Sequence, residues 1–270
     1  MCEVQSSCLI WKLNYLSLPI NSITNFLLYI IMKKLITCIA IIMMMPLLSI
    51  AQTTYVLSTG VSNYGDPEVN LRNTTKDAKA FAALFKKMPN TKASVVTSSK
   101  ATKSNILKYL NAIKTLAKPE DKVIFFFSGH GDTDCFIAYD GGFYYKDLIN
   151  TLRQMKTNKV FVFIDACLSG SVQSSATEFQ WTGDNGGAIS FMMSSRASEN
   201  SYENQWLNNG FFTQALLLAL RGKGDTDSNK KVTLIEAFKY VHKDVTARES
   251  RQHPQLIANK SLYDEVLISW

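Results

Sequence analysis

Two segments, residues 122–127 (KVIFFF) and 159–164 (KVFVFI), are apolar from their second residue onward, and this constrains the fold more than any other feature of the chain. A strand with one wet face alternates apolar and polar residues. A strand apolar on both sides must be covered on both, as in the centre of a parallel sheet. A third run of this kind covers 188–193. Helical spacing fills the intervals. Residues 73–87 carry Ala78, Phe81, Ala82 and Phe85, and 104–117 carry Ile106, Leu107, Leu110, Ile113, Leu116 and Ala117, stopping before Pro119. Further strands are predicted at 53–60 and 93–97, further helices near 146–155, 211–220 and 234–245. Asp140-Gly141-Gly142 predicts the turn of a hairpin within 135–145. The order β-α-β-α-β-hairpin-α-β-β-α-α predicts an α/β fold, an open, mostly parallel sheet with helices on both faces and function at the carboxyl ends of its strands. With 46% hydrophobic and 19% charged residues, 270 residues suffice for such a core and exclude a disordered or collagen-like chain. The net charge of +7 is scattered, with no block of five or six basic residues, so no nucleic-acid partner is expected.

The N-terminus reads as a processed segment. From Met32 the sequence MKKLITCIAIIMMMPLLSIAQT has two lysines, an apolar run and Ser49-Ile50-Ala51, the three-part pattern of a secretory signal with cleavage after Ala51. The expected organisation is an upstream extension from a mis-assigned start (1–31), a signal peptide (32–51) and one domain (52–270). The protein is then exported to the periplasm or the exterior, touching membrane only through an uncleaved signal. The alternative, an N-terminal anchor over 9–31, is interrupted by Lys12, Asn14, Asn21, Asn25 and the kink expected at Pro19. Cleavage removes three lysines and one glutamate, taking the charge from +7 to +5. It also removes Cys2, Cys8 and Cys38, leaving Cys135 and Cys167 in an oxidising compartment, where idle thiols are avoided, bridged or used.

The ends of the two apolar runs carry the chemistry. The first leads into Ser128-Gly129-His130-Gly131 and the second into Asp165-Ala166-Cys167-Leu168-Ser169-Gly170. If the strands are neighbours in a parallel sheet, His130 and Cys167 leave the same rim and share a cleft. Each alone has a bland reading, a turn histidine or a small core cysteine. Together they suit amide hydrolysis: a thiolate attacks the carbonyl, and the imidazolium protonates the departing amine. The flanking glycines let backbone turn and approach a substrate, and the N–H groups of Gly131 and Cys167 are candidate oxyanion donors. No Gly-x-Ser-x-Gly elbow is present. His130, His242 and His253 lack metal-ligand spacing, and there is no C-x-x-C. Cys135 reads as a hairpin residue.

These paired motifs resemble the catalytic dyad of the caspase and metacaspase superfamily of cysteine peptidases. GVSNYGDPEVNLRNTTKDAKAF at 60–81, MSSRASENSYE at 193–203, GFFTQALLLALRGKGDTD at 210–227 and VTLIEAFKYV at 232–241 resemble bacterial caspase-like domains, so the likeness covers most of the mature chain. It implies a caspase-like sheet, Cys167 as nucleophile, His130 as general acid–base, and a peptide or protein substrate. Asp165 stands where animal caspases have Gln before Ala-Cys, so aspartate specificity is not implied. Metacaspases cleave after Arg or Lys, and their acidic pocket residue aligns with Asp77. As a plain alternative, Asp77 is a first-turn carboxylate favoured by the helix dipole. Arg72 in the same loop would favour an acidic substrate, and Asp165 and Ser194 complete the expected substrate-binding set. The alternative function is a caspase-like module that binds a partner without cutting it. Caspase-like proteins are often cut in the loop after the nucleophile, here 168–187. No Lys or Arg lies between Lys159 and Arg196, so a basic-specific enzyme cannot mature there; Glu178 and Asp184 are that loop's only acidic residues.

Asp225, Asp227, Asn229, Thr233 and Glu236 fall on positions 1, 3, 5, 9 and 12 of a calcium loop, but Lys230 replaces the glycine of position 6. Thr233-x-x-Glu236 reads equally as a helix capping box. No cofactor is expected to be required, with calcium as the one possible ion.

Overall fold

The structure, a computed structural model, describes residues 22–44, 52–171, 188–199, 201 and 209–270. The extension before residue 22, the expected cleavage position and residues 45–51, and the 172–187 part of the loop with Glu178 and Asp184 lie outside the described residues. Two units are compact, Met1–Ile50 and Ala51–Trp270. In the first, helix α1 (Ser22–Met44) runs unbroken across Met32. Its Phe26, Leu27, Leu28, Tyr29, Ile31, Met32, Leu35 and Ile36 are exposed. Among the described residues, no helix is long and apolar enough to cross a membrane.

The second unit is built on a six-stranded sheet. Its strands are β1 (Thr54–Gly60), β2 (Thr91–Thr97), β3 (Lys122–Ser128), β7 (Lys159–Asp165), β8 (Ala188–Met193) and β10 (Gln255–Ile257), in the spatial order β10-β8-β7-β3-β1-β2. All pairs are parallel except β10 with β8. Pairing of Gly60 with Ser128 and of Ser128 with Asp165 brings three central strands to an end at one level. A small antiparallel sheet, β4 (Gly131–Asp132), β5 (Cys135–Ala138) and β6 (Gly141–Tyr144), follows β3, so the predicted hairpin gains a third strand that starts one residue after His130.

Two cores explain why the central runs are apolar throughout. Val123, Phe125 and Phe127 of β3 face the core built with Ile106, Leu110 and Ile113 of α3 (Lys103–Leu116) and Leu148, Ile149 and Leu152 of α4 (Tyr145–Arg153). Ile124 and Phe126 face the other core. There they meet Phe81 and Phe85 of α2 (Thr74–Lys86), Phe212 and Leu216 of α5 (Phe211–Leu218) and Val241 and Val245 of α6 (Leu234–Arg248). Phe81 stacks on Phe126 with ring centroids 4.5 Å apart. Each fully buried Phe or Ile contributes about 1.5–3 kcal/mol by leaving water.

Three differences from the sequence reading stand out. The edge strand β10 and the ribbon of β9 (Lys231–Thr233) with β11 (Val266–Ser269) are three or four residues long, too short for periodicity to register. The helix predicted over 211–220 ends at Leu218 and opens into a wider turn over Ala219–Lys223. There Gly222 takes φ 107°, and a Cβ on it would lie 3.0 Å from the Trp270 ring. The lysine that opens β3 is buried: Lys122 is 7% exposed and its ammonium donates to the Val266 carbonyl of β11.

Candidate active site

His130 follows β3 by two residues and Cys167 follows β7 by two residues. Because Ser128 pairs with Asp165, the turns after the two strands leave the sheet side by side. The glycines serve this juxtaposition. A Cβ on Gly131 would fall 2.2 Å from the Cys167 carbonyl oxygen and 2.9 Å from the Ala166 Cβ. A Cβ on Gly129 would fall 2.6 Å from the Phe127 ring and 2.7 Å from the Tyr64 Oη. Gly131 must be glycine so that the two turns can touch, and Gly129 so that the chain can pass close over Phe127 and the Tyr64 hydroxyl, both different reasons from approach to substrate.

The imidazole is held from the β1–α2 connection. His130 N–H donates to the Tyr64 Oη at 2.8 Å, and its Nε2 lies 2.6 Å from the Val69 carbonyl oxygen. A carbonyl can only accept, so Nε2 carries the hydrogen and the neutral ring keeps Nδ1 as its basic nitrogen. Tyr64 packs on the ring, centroids 4.8 Å apart, and donates its own hydroxyl to Ile137 O at 3.2 Å. Burial pushes the Tyr64 phenol well above its ordinary pKa, so it remains a donor across the working range of pH.

Cys167 is a half-buried thiol outside any disulfide, its Sγ 3.8 Å from the Ser201 carbonyl oxygen. Leu168, next along, takes φ 53°, a left-handed conformation that costs a non-glycine residue about 1 kcal/mol or more. Its N–H donates to Glu199 O at 2.9 Å, which helps hold this turn in place.

Both residues line one cleft of about 90 Å³ together with Leu71, Thr74, Asp77, Ser128, Gly129, Asp165, Ser201 and Gly210. Two buried carboxylates share it, and no Lys or Arg is among its described lining residues. Asp77 stands in the first turn of α2, yet its oxygens are turned into the cleft. Oδ1 accepts from Asn209 Nδ2 at 2.7 Å and from Gly210 N at 3.3 Å, and Oδ2 accepts from Ser128 Oγ at 2.8 Å. Asp165 accepts from Ser201 Oγ at 2.6 Å, from Thr213 Oγ1 at 2.6 Å and from Thr213 N at 3.1 Å, at the N-terminus of α5. Burial pushes its carboxyl pKa up, and the Ser201 and Thr213 hydrogen bonds oppose that shift. Gly210 sits against both carboxylates: a Cβ there would meet Asp165 Oδ2 at 2.9 Å and Asp77 Oδ2 at 3.7 Å.

The structure thus brings His130, Cys167, Asp77 and Asp165 together and leaves three expected members, Gly131, Arg72 and Ser194, out of the described lining. Arg72 is exposed and is not part of the lining. Ser194 is buried beneath the nucleophile turn, where its Oγ accepts from Ala166 N at 3.1 Å and donates to Ala166 O at 3.0 Å. It braces backbone and reaches the Asp165 carboxylate from beneath, without lining the cleft itself. Cys135 is buried in β5 as a free thiol, which removes the bridge to Cys167 as a reading. Tyr64, Val69, Ser128, Ser201 and Thr213 were not singled out. Ser128 stood in the Ser-Gly-His-Gly motif and Tyr64 in the 60–81 stretch, but a backbone acceptor such as Val69 O has no sequence signature.

At the calcium-like loop, Asp225, Asp227 and Glu236 offer oxygens within 4.8 Å of one another. The loop is already closed by protein donors. Glu236 Oε1 accepts from Thr226 N and Oγ1, and Oε2 from Thr233 N and Oγ1, with the full capping box present. Asn229 N donates to Asp225 Oδ1 at 3.1 Å, and its Nδ2 to Asp227 Oδ2 at 2.8 Å. Lys230 supplies the left-handed turn, φ 63°, that a glycine would supply. Carboxylate oxygens arranged to accept from these donors fit a cap better than a bidentate metal ligand.

Comparison with known proteins fits this geometry. The family model described as the caspase domain, of peptidase family C14, matches residues 54–264. No curated protein sequence matches the chain. A crystal structure of a Geobacter sulfurreducens protein is similar in fold, with a TM-score of 0.60 at 18% identity, covering 80% of this chain and 98% of that one.

Proposed function

Since this chain belongs to the caspase-domain family of cysteine peptidases, we propose that it is an exported endopeptidase that cuts peptide and protein substrates after Arg or Lys, with Cys167 as nucleophile and His130 as general acid–base. The observation that carries the specificity is the pair of buried carboxylates, Asp77 and Asp165, in the same cleft as the dyad and without a lysine or arginine among its described lining residues. An arginine side chain of a substrate supplies five N–H donors and a fixed charge, which suits two such acceptors. An aspartate side chain would set acceptor against acceptor there.

The reaction follows from the donors and acceptors present. In the resting cleft the Cys167 S–H faces the Ser201 carbonyl. With Nε2–H committed to Val69 O, the His130 Nδ1 takes the thiol proton as the sulfur attacks the scissile carbonyl carbon. The N–H groups of Gly131 and Cys167 stabilise the oxyanion. Collapse breaks the C–N bond, the imidazolium gives its proton to the leaving amine, and a thioester remains. Water, deprotonated by the same imidazole, then releases the acid and the thiol. Both steps balance without a cofactor. Export rests on the signal pattern from Met32 to Ala51. Without a Lys or Arg between Lys159 and Arg196, the enzyme acts with its nucleophile loop uncut by itself.

Residues 52–270 incubated with fluorogenic peptides bearing Arg, Lys, Asp or Ala before the scissile bond test this reading. Cleavage after Arg and Lys, lost by about 10³-fold or more in Cys167→Ala, is the expected result. Cleavage after Asp alone, or turnover that survives Cys167→Ala, overturns it. Tight binding of uncut Arg peptides by a protein whose Cys167 is intact would identify the non-catalytic module instead.

A further inference from the structure

We infer that Gln252, a fully buried residue outside every catalytic motif, is a positioning residue for the specificity pocket, its side-chain amide orienting the Ser201 hydroxyl onto Asp165. The inference rests on the proposed reading of the cleft as an Arg/Lys-directed peptidase site.

Gln252 lies between α6 and the edge strand β10 and is 0% exposed. Its Nε2 donates to Ser194 O at 3.0 Å and to Ser201 Oγ at 3.2 Å. An amide nitrogen has two hydrogens and no acceptor capacity, so these two bonds use both. The Ser201 oxygen therefore accepts from Gln252, and its single O–H donates to Asp165 Oδ1 at 2.6 Å. The relay has one polarity, from amide to hydroxyl to carboxylate. An apolar residue at 252 would free the hydroxyl to rotate. An acceptor there would draw the Ser201 hydrogen away from Asp165, leaving a buried carboxylate short of a donor.

The neighbouring residue grips the same segment. His253 N donates to Glu199 Oε2 at 2.9 Å, and its Nδ1 lies 2.8 Å from Glu199 Oε1. The Glu199 carbonyl in turn receives the Leu168 N–H. Residues 252 and 253 thus anchor Ser194, Glu199 and Ser201 on both sides of the Cys167 turn. The two anchors divide the work. Gln252 reaches the Ser201 hydroxyl, which touches the pocket carboxylate, whereas Cys167 faces the Ser201 backbone carbonyl. Loss of Gln252 therefore falls on recognition of a cationic side chain rather than on the thiol.

The test compares two matched peptides, one with Arg and one with its uncharged isostere citrulline before the scissile bond. Wild type, Gln252→Met, Ser201→Ala and the double variant are assayed. In Gln252→Met, kcat/KM for the Arg peptide is expected to fall by about tenfold, mostly through KM, and the Arg-to-citrulline ratio to fall with it. Alkylation of Cys167 by iodoacetamide is expected to stay within about twofold, and the double variant to be no worse than Ser201→Ala. Equal losses on both peptides, or additive losses in the double variant, overturn the inference. Should Gln252→Met fail to fold, Gln252→Glu reverses the polarity at nearly constant volume. Its Arg-to-citrulline ratio is expected to collapse, and an unchanged ratio overturns the inference. A wild type that cuts neither peptide while its Cys167 alkylates overturns the peptidase reading itself, a result distinct from any difference between variants.

Discussion

At the scale of single residues, the two thiols of the folded domain have opposite environments. Burial first, then the nearby Asp132 and Asp134 charges, push the Cys135 thiol above its ordinary pKa, while Cys167 opens on the cleft. Iodoacetamide at pH 7 is therefore expected to label Cys167 at least about tenfold faster than Cys135 by peptide mass mapping. Faster labelling of Cys135 would contradict the burial that separates them. Gly131→Ala would place a methyl 2.2 Å from the Cys167 carbonyl. The turns must then separate, and a displacement of about 1 Å is expected to lower kcat/KM by about 100-fold, with the thermal melt falling by several degrees as the clash with backbone is relieved. The dyad was legible because its motifs follow strands that announce their own burial. Side-chain direction was not. Arg72 and Ser194 lie in stretches that also hold true cleft residues, but tertiary packing turned one to solvent and the other beneath the nucleophile turn.

Among the elements, α6 shows how one sequence pattern can satisfy two templates. Its calcium-loop spacing and its capping box share Glu236, and in the fold both carboxylate oxygens are taken by Thr226 and Thr233. These hydrogen bonds, against the opposing effect of partial burial, hold the Glu236 pKa below its ordinary value. Thr233→Ala is expected to destabilise the domain by about 1 kcal/mol in urea unfolding. Millimolar calcium is expected to leave the melting temperature unchanged, and a rise of several degrees that disappears in Asp225→Asn would show that the loop binds the ion after all. The long elements were readable from periodicity, since α2, α3 and the central strands each repeat their pattern several times. The short β9, β10 and β11 were not, because three or four residues hold no more than one period and their pairing depends on partners far away in the chain.

For the whole molecule, the rim opposite the cleft carries an electrostatic penalty. Lys122 is held by burial at a pKa of about 8, the nearby Glu265 carboxylate only partly offsetting it and the Lys159 ammonium adding to it. The unfolded chain returns it to about 10.4. Below pH 8 the group is charged in both states and the folded protein bears the full burden of a buried ammonium. Between pH 8 and about 10.4 the unfolded state holds more protons, so this group's contribution raises stability as pH rises. Lys122→Met is expected to be more stable than wild type at pH 7 by roughly 1–2 kcal/mol, and the advantage to shrink toward pH 10. Urea titrations at the two pH values check the sign; an advantage that grows with pH contradicts it.

The β1–α2 connection holds the carbonyl that orients the His130 ring, and the first turn of α2, a few residues on, holds the Asp77 carboxylate proposed to read the substrate. Selection for a new cleavage preference by insertion or deletion in this stretch would displace the base along with the recognition group. New preferences in such a scaffold should accordingly arise by exchanging side chains at fixed loop length, or from the far side of the cleft, around Gly210 and Thr213, where no bond to the imidazole is at stake.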